Sequence, residues 1–441
     1  MNQMNNTPTP PPRRGAAPNL LHKGLLAGVI FSLIHIAPAM ADTGVDYWGP
    51  WVTKTSTHSA TINWRGESDG LGLIDYATAS YYAEHQGFEE TIASLTLGAY
   101  QHVELTQLKP NTAYIYRVRP SGNAGAFTNR TFRTMPPSGP FTFVVISDSQ
   151  EGHNYTEEQR FKYVADAVAK EPDVLFILHG GDNAGFDDEG LWSTYFHVAD
   201  GMLAKSAIFP VIGNHEYHNP NGETNPPTAA NQYHWSYDMP LHYSFDCAGV
   251  RFIVLNSPDP TNHSSGEGLG EALGGDDLGN DDPQTSLALA QSQAPWLREQ
   301  LHHSMGGTFT IHHHPIWDDG RTTNNPDLQP WETLYHTYRI SANFAGHVHN
   351  YQWFQVEGIP YFIVGIAGGR CADLTGPDPL WYQLGNTRNL GYLKVCVDPA
   401  KNKATAQEVI VGYVLEDDSD ETPHVYDPPV IGDTVTFALR R

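Results

Sequence analysis

Between Tyr47 and Thr134 apolar and polar residues alternate in short bursts. Residues 61–65, 102–105 and 114–118 each follow the two-residue period of a half-buried strand, with turn residues between them. After Pro140 the rhythm changes. Residues 141–146 are almost continuously apolar, which suits a strand buried on both faces. Phe161, Val164, Ala165 and Val168 then recur at helical spacing within 157–170, and residues 174–178 read as a second buried strand. A helix near 190–205 precedes a third strand at 208–212, and strands at 251–256 and 308–311 enclose a helix around 288–301. This strand–helix succession predicts an α/β sheet core. Residues 259–284, rich in Gly, Asp and Pro, read as a solvated surface insertion, with a metal-storing loop as the functional alternative. No period of 20–50 residues repeats along the chain.

A length of 441 residues fits two folded units, and Met135-Pro-Pro-Ser-Gly-Pro140 reads as a stiff linker between them. In the front unit, Leu108-Lys-Pro-Asn-Thr-Ala-Tyr114 resembles the run before a late strand of fibronectin type III domains. The resemblance implies an all-β sandwich in which Tyr114 forms a tyrosine corner, tying a sheet edge to a neighbouring turn.

The N-terminus belongs to neither unit. Arg13, Arg14 and Lys23 precede an apolar run from Leu25 to about Ile36, and Ala39-Met40-Ala41 supplies small residues for cleavage. This order predicts a secretory signal peptide over 1–41, cut before Asp42, and a periplasmic or secreted protein. The run is short for a membrane anchor, and the residues around Arg13-Arg14 fit a twin-arginine signal poorly. Removing the segment carries the net charge from −24 to −27, because it takes three basic residues and no acidic one. Such a field repels nucleic acids and anionic membranes, so neither is expected as a partner. Three cysteines, Cys247, Cys371 and Cys396, permit one disulfide after export, but their spacing selects no pair.

Five segments carry candidate chemistry. Ser147-Asp148-Ser149-Gln150, Gly180-Gly181-Asp182-Asn183, Gly213-Asn214-His215-Glu216, His312-His313-His314-Pro315 and Gly346-His347-Val348-His349 each follow an apolar strand. Singly each is a common turn sequence. In an open α/β sheet, however, ligands bind beyond the carboxyl ends of strands, so the five would converge.

The ordered set resembles the calcineurin-like metallophosphoesterase superfamily, with its D-x-H, G-D, G-N-H-[DE], His and G-H-x-H pattern. With the fibronectin-like front it is most similar to purple acid phosphatase-like proteins. The resemblance implies a four-layer αββα catalytic sandwich over 140–441, behind an all-β unit over 42–136. It also implies a dinuclear centre of two divalent ions: Mn, Fe or Zn, with Mg possible. Asp182 would bridge both ions, Asp148, Gln150 and His349 would complete one site, and Asn214, His313 and His347 the other. A bridging hydroxide would attack phosphorus while His215 protonates the leaving group. Glu216 would orient His215 or simply cap a turn. His314 and Arg321 are candidate substrate contacts, and His312 is a packing candidate.

Two departures stand out. Gln150 replaces the usual His, which favours hard ions such as Mn²⁺ or Mg²⁺. Gly185 stands where purple acid phosphatases carry a metal-bound Tyr, so the purple colour is not expected. The predicted function is phosphomonoester hydrolysis. A phosphodiesterase or nucleotide hydrolase using the same centre is the nearest rival, and a non-catalytic metal-holding binding protein is a third reading.

Overall fold

The computed structural model describes residues 47–66, 70–120, 127–150, 155–220, 231–257, 283–303, 306–319, 325–374, 382–415 and 423–440. The expected signal peptide at 1–41, nearly all of the 259–284 loop and Arg321 lie outside the described residues.

The front unit contains β1 (Trp48–Thr53), β2 (Ala60–Arg65), β3 (Gly72–Thr78), α1 (Ala79–His85), β4 (Glu90–Ala93), β5 (Tyr100–Leu105), β6 (Ala113–Pro120) and β7 (Arg130–Arg133). Three strands pair as β1-β2-β5 and four as β4-β3-β6-β7, all antiparallel. Alternation decides the core: Ile62 and Trp64 from one sheet and Tyr114, Tyr116 and Val118 from the other are all buried. The Tyr114 hydroxyl accepts the Lys109 N–H at 2.8 Å, which is the corner contact the fibronectin resemblance implies.

Behind the linker come β8 (Phe141–Ile146), α2 (Tyr155–Lys170), β9 (Val174–His179), α3 (Glu189–Leu203), β10 (Ala207–Pro210) and α4 (Gln232–Tyr237). Next are β11 (Tyr243–Cys247), β12 (Val250–Val254), α5 (Pro283–His302), β13 (Thr308–Ile311), α6 (Gln329–Tyr338) and β14 (Ala342–Ala345). The chain finishes through β15 (Tyr351–Val356), β16 (Ile359–Val364), β17 (Tyr382–Asn386), β18 (Asn389–Asp398), β19 (Lys403–Tyr413) and β20 (His424–Ala438). Two sheets result, ordered β10-β9-β8-β18-β19-β20 and β11-β12-β13-β14-β16-β15-β17. Strands β8, β9 and β10 run parallel, as do β12, β13, β14 and β16.

The sheets meet through phenylalanines. Phe143 lies 5.2 Å from Phe252, 5.7 Å from Phe309 and 6.0 Å from Phe344, ring centroid to centroid. Residues on the other face of the seven-stranded sheet, such as Ile253 and Ile363, pack with Leu297 and Leu301 of α5 and Trp331 and Leu334 of α6. Helices α2 and α3 cluster together, and α2 also packs against β18 and β19 of the six-stranded sheet. The front unit rests on α3: Trp51 stacks on Phe196 with centroids 3.9 Å apart, Arg130 pairs with Asp200, and the Thr131 N–H donates to the Ala204 carbonyl at 2.9 Å.

The third strand ends at Pro210, two residues before the end of the predicted 208–212, although the Val211 N–H still donates to the His179 carbonyl at 2.7 Å. Cys247, Cys371 and Cys396 form no disulfide with one another. No described helix is long and apolar enough to cross a membrane.

The corner contact sets a test. Tyr114→Phe removes the acceptor of the Lys109 N–H and should cost about 1 kcal/mol of stability. A calorimetric melt should show a lower transition temperature with metal content unchanged; an unaltered melt would mean that the contact contributes nothing.

Candidate metal centre

All five candidate segments start at the carboxyl ends of parallel strands. The turns after β8, β9 and β10 carry Asp148 and Gln150, then Asp182, then Asn214 and His215. The turns after β13 and β14 carry His313, and then His347 and His349. Each sheet therefore supplies about half of the cluster.

Two groups form around Asp182. It lies with His313 and His347, and again with Asp148 and His349, each group having its candidate ligand atoms within 4.8 Å of one another. His313 Nε2 is 3.2 Å from Asp182 Oδ2 and 2.9 Å from Asn214 Oδ1, and His347 Nδ1 is 3.1 Å from the same Asn214 oxygen. On the other side, His349 Nε2 is 3.5 Å from Asp148 Oδ1 and 3.2 Å from the Gln150 side-chain nitrogen.

The proton positions point to cations. His313 Nδ1 lies 2.9 Å from the Gly180 carbonyl and His349 Nδ1 lies 2.6 Å from the Arg370 carbonyl. A carbonyl can only accept, so both Nδ1 atoms carry hydrogen and both Nε2 atoms turn lone pairs inward. That of His313 meets carboxylate and amide oxygens, which only a proton or a metal ion can satisfy, and that of His349 faces the Asp148 carboxylate beside the Gln150 amide nitrogen. Burial alone would lower the His313 pKa, but Asp182 and Asp148 raise it to about 9. Gln150 Oε1 is buried without a hydrogen-bond partner, a neutral oxygen donor facing no donor of its own. The donor set fits two divalent ions.

The turns explain how these groups reach one another. Asp148, Asp182 and His347 all have left-handed backbones, with φ of 59°, 53° and 68°. Such strain costs roughly 1 kcal/mol or more per residue and persists only where surrounding bonds impose it. Here the Asp148 carboxylate accepts the His347 N–H at 2.9 Å, and Asp182 Oδ1 accepts the His215 N–H at 3.1 Å. Gly213 and Gly346 are required for a different reason: a Cβ on either would overlap the carboxylate of Asp182 or of Asp148.

Glu216 does not orient His215. Its buried carboxylate accepts the N–H groups of Asp182, Asn183 and Gly213 at 3.1, 2.6 and 2.6 Å, so it binds two catalytic turns together. Burial and the charge of Asp182 push its pKa up to about 7 against those bonds. His215 is aimed instead by the Gly185 carbonyl, 2.6 Å from its Nδ1. Its Nε2 faces the cluster, 3.2 Å from the Gln150 side-chain nitrogen and 3.9 Å from Asp182 Oδ2.

His314 lies beside His347, the rings tilted at 45° with centroids 4.2 Å apart, and contacts Ser257. His312 points to the opposite face, bonded to Asn343 and packed near Trp331. The sequence reading missed His179, whose Nε2 is 2.8 Å from Ser149 Oγ; Ser149 in turn donates to the Asn183 carbonyl at 3.1 Å. Its position as the last residue of a strand before Gly-Gly-Asp was the available signal. Burial pulls its pKa down to about 3, so it braces the turns as a neutral ring.

Comparison with known proteins agrees with this geometry. The calcineurin-like phosphoesterase family model matches residues 141–351, and the model of the purple acid phosphatase N-terminal domain matches residues 34–134. The Arabidopsis thaliana protein named probable purple acid phosphatase 20 is 27% identical over 310 residues, covering 66% of this chain and 65% of that protein. The chain thus spans just under two thirds of that relative's length. A Glycine max purple acid phosphatase is 23% identical over 84% of this chain and 76% of its own. A purple acid phosphatase structure from yellow lupin (Lupinus luteus) seeds shares the fold, with a TM-score of 0.64 at 13% identity over 89% of this chain and 74% of that one.

Gly213→Ala tests the close approach. The added methyl must displace the Asp182 carboxylate, and misplacement of about 1 Å costs on the order of a hundredfold in rate. Bound metal should fall with it while the far-UV circular dichroism is retained. A variant with normal metal content and rate would show that the turn has room to spare.

Proposed function

The chain belongs to the calcineurin-like phosphoesterases with a purple acid phosphatase N-terminal domain, and from that premise we propose that it hydrolyses phosphomonoesters at a dinuclear centre. The observation that carries this reading is the pair of Asp–His groups sharing Asp182. Asp182 would be shared between the two ions, Asp148, Gln150 and His349 would hold one, and Asn214, His313 and His347 would hold the other. Two bound divalent ions supply Lewis acidity, lowering the pKa of a water and neutralising phosphoryl oxygens. Gln150 and the absence of a phenolate at Gly185 favour Mn, Zn or ferrous iron, with Mg possible, over a ferric–tyrosinate centre.

The remaining chemistry falls to the chain. His215, with Nδ1–H committed to the Gly185 carbonyl, presents Nε2 to the cluster, where a second proton is available for the leaving oxygen. Glu216 and the Asp148 carboxylate hold the turns so that these atoms need no rearrangement. His314, beside His347, is the expected substrate contact that lies among the described residues. The basic, apolar and small-residue order of 1–41 supports export with cleavage before Asp42, and the linker at 135–140 supports the boundary between the two units.

Two substitutions test the reading. Asp182→Asn should leave one ion or none by elemental analysis and lower turnover of an aryl phosphate by orders of magnitude; two ions with full turnover would sink the bridge. His215→Ala should keep both ions yet slow alkyl phosphates by about 10²–10⁴, with a much smaller loss on aryl phosphates, whose leaving groups need little protonation. Equal losses on both would assign His215 another task.

A further inference from the structure

A second carboxylate pair lies outside the centre just described, where β19 meets β20. The ladder between these strands shifts register between Gln407 and Val409, so Glu408 faces the bulge made by Gly432 and Asp433. Gly432 is needed there, since a Cβ would overlap the Glu408 carboxylate. Glu408 is 1% exposed, and its Oε1 accepts the Asn386 and Asn389 amide hydrogens at 2.7 and 3.4 Å. No described Lys, Arg or His pairs with Glu408 or Asp433. Burial first, and then the Asp433 charge, raise the Glu408 pKa to about 7.

Two unpartnered atoms mark what is missing. Asp433 Oδ1 accepts the Thr434 N–H at 2.7 Å, but its Oδ2 is buried with no partner. The Tyr351 hydroxyl is also buried with no partner, on a residue only 1% exposed. Tyr351 sits directly across the ladder from Asn386, whose amide holds Glu408. A phenol oxygen and a carboxylate oxygen, each buried and without a hydrogen-bond partner beside a second carboxylate, cost several kcal/mol unless something satisfies them.

We propose that Glu408, Asp433 and the Tyr351 hydroxyl form a second, structural cation site that takes a calcium ion. The donors are all oxygen and include two carboxylates, which suits a hard ion of flexible coordination rather than a soft metal. Asn386 and Asn389, whose amide groups already hold Glu408, lie beside the pair, and water completes the coordination. Because Tyr351 opens β15 two residues after His349, the ion would tie the strand behind the catalytic turn to the 386–389 turn and to β19 and β20. An affinity on the order of 10⁻⁴ M fits a two-carboxylate site.

The test melts the full chain, loaded with Mn²⁺ at its catalytic centre, with and without about 1 mM Ca²⁺. The wild type should gain roughly 2 °C. Glu408→Gln and Asp433→Asn should lose that gain, keep their Mn²⁺ and their turnover, and melt at or above the wild type without Ca²⁺, because the like-charge pair is gone. Asp182→Asn should retain the gain. An equal gain in the Glu408 and Asp433 variants, no gain in the wild type at up to about 10 mM Ca²⁺, or a gain abolished by Asp182→Asn would each overturn the proposal.

Discussion

Two buried carboxylates, Asp148 and Asp182, set the terms for the rest of the catalytic unit. Both are essentially inaccessible to solvent, and no lysine or arginine among the described residues pairs with either. Charge in such surroundings is stable only where opposite charge and hydrogen-bond donors are already in position. The protein answers with a ring of imidazoles and with backbone N–H groups from neighbouring turns. Burial would raise the Asp148 pKa, yet the bond from His349 and the charge of His313 hold it below the ordinary carboxylate value. Those imidazoles turn lone pairs inward, so the stable form of the cluster calls for added cations. Stability and chemistry thus share one origin.

The same requirement governs the architecture. Ligand atoms arrive from two different sheets, and a sub-ångström geometry survives only if the sheets cannot slide. The phenylalanines Phe143, Phe176, Phe252, Phe309 and Phe344, meeting across the sheets edge to face or tilted, lock them together. Backbone bonds then stitch the turns themselves: the Gly346 N–H donates to the His313 carbonyl at 2.9 Å, and the Gly369 N–H to the Asp148 carbonyl at 2.8 Å. The front sandwich adds a third brace by packing Trp48 and Trp51 on Phe196 of α3, the helix that follows the Asp182 turn.

Much of this was legible beforehand because period and turn chemistry are local. Apolar runs at 141–146 and 308–311 marked buried strands, and the polar segments following them marked the site. Strand β20 was less legible, because it is largely exposed and carries no continuous apolar run. The role of Glu216 stayed open in the sequence because the local pattern does not separate its alternatives. A glutamate after Gly-Asn-His looks the same in sequence whether it orients a neighbouring ring or, as here, reaches across to Asp182 and Asn183.

The sequence by itself determined which residue types could hold metal, their order along the chain, and the strands that carry them, since these depend on composition and short-range periodicity. The family resemblance had already singled out His313 among three consecutive histidines; the tertiary structure supplied the physical reason. Alternation at the end of β13 sends His313 inward to Asp182, while His312 packs near α6 and His314 lies against His347. It alone decided the left-handed backbones at Asp148, Asp182 and His347, because that strain is imposed by bonds from turns far away in sequence. It also decided that Gly213 and Gly346 leave space for carboxylates rather than merely permit a turn, for the excluded volume belongs to residues the local sequence does not contain.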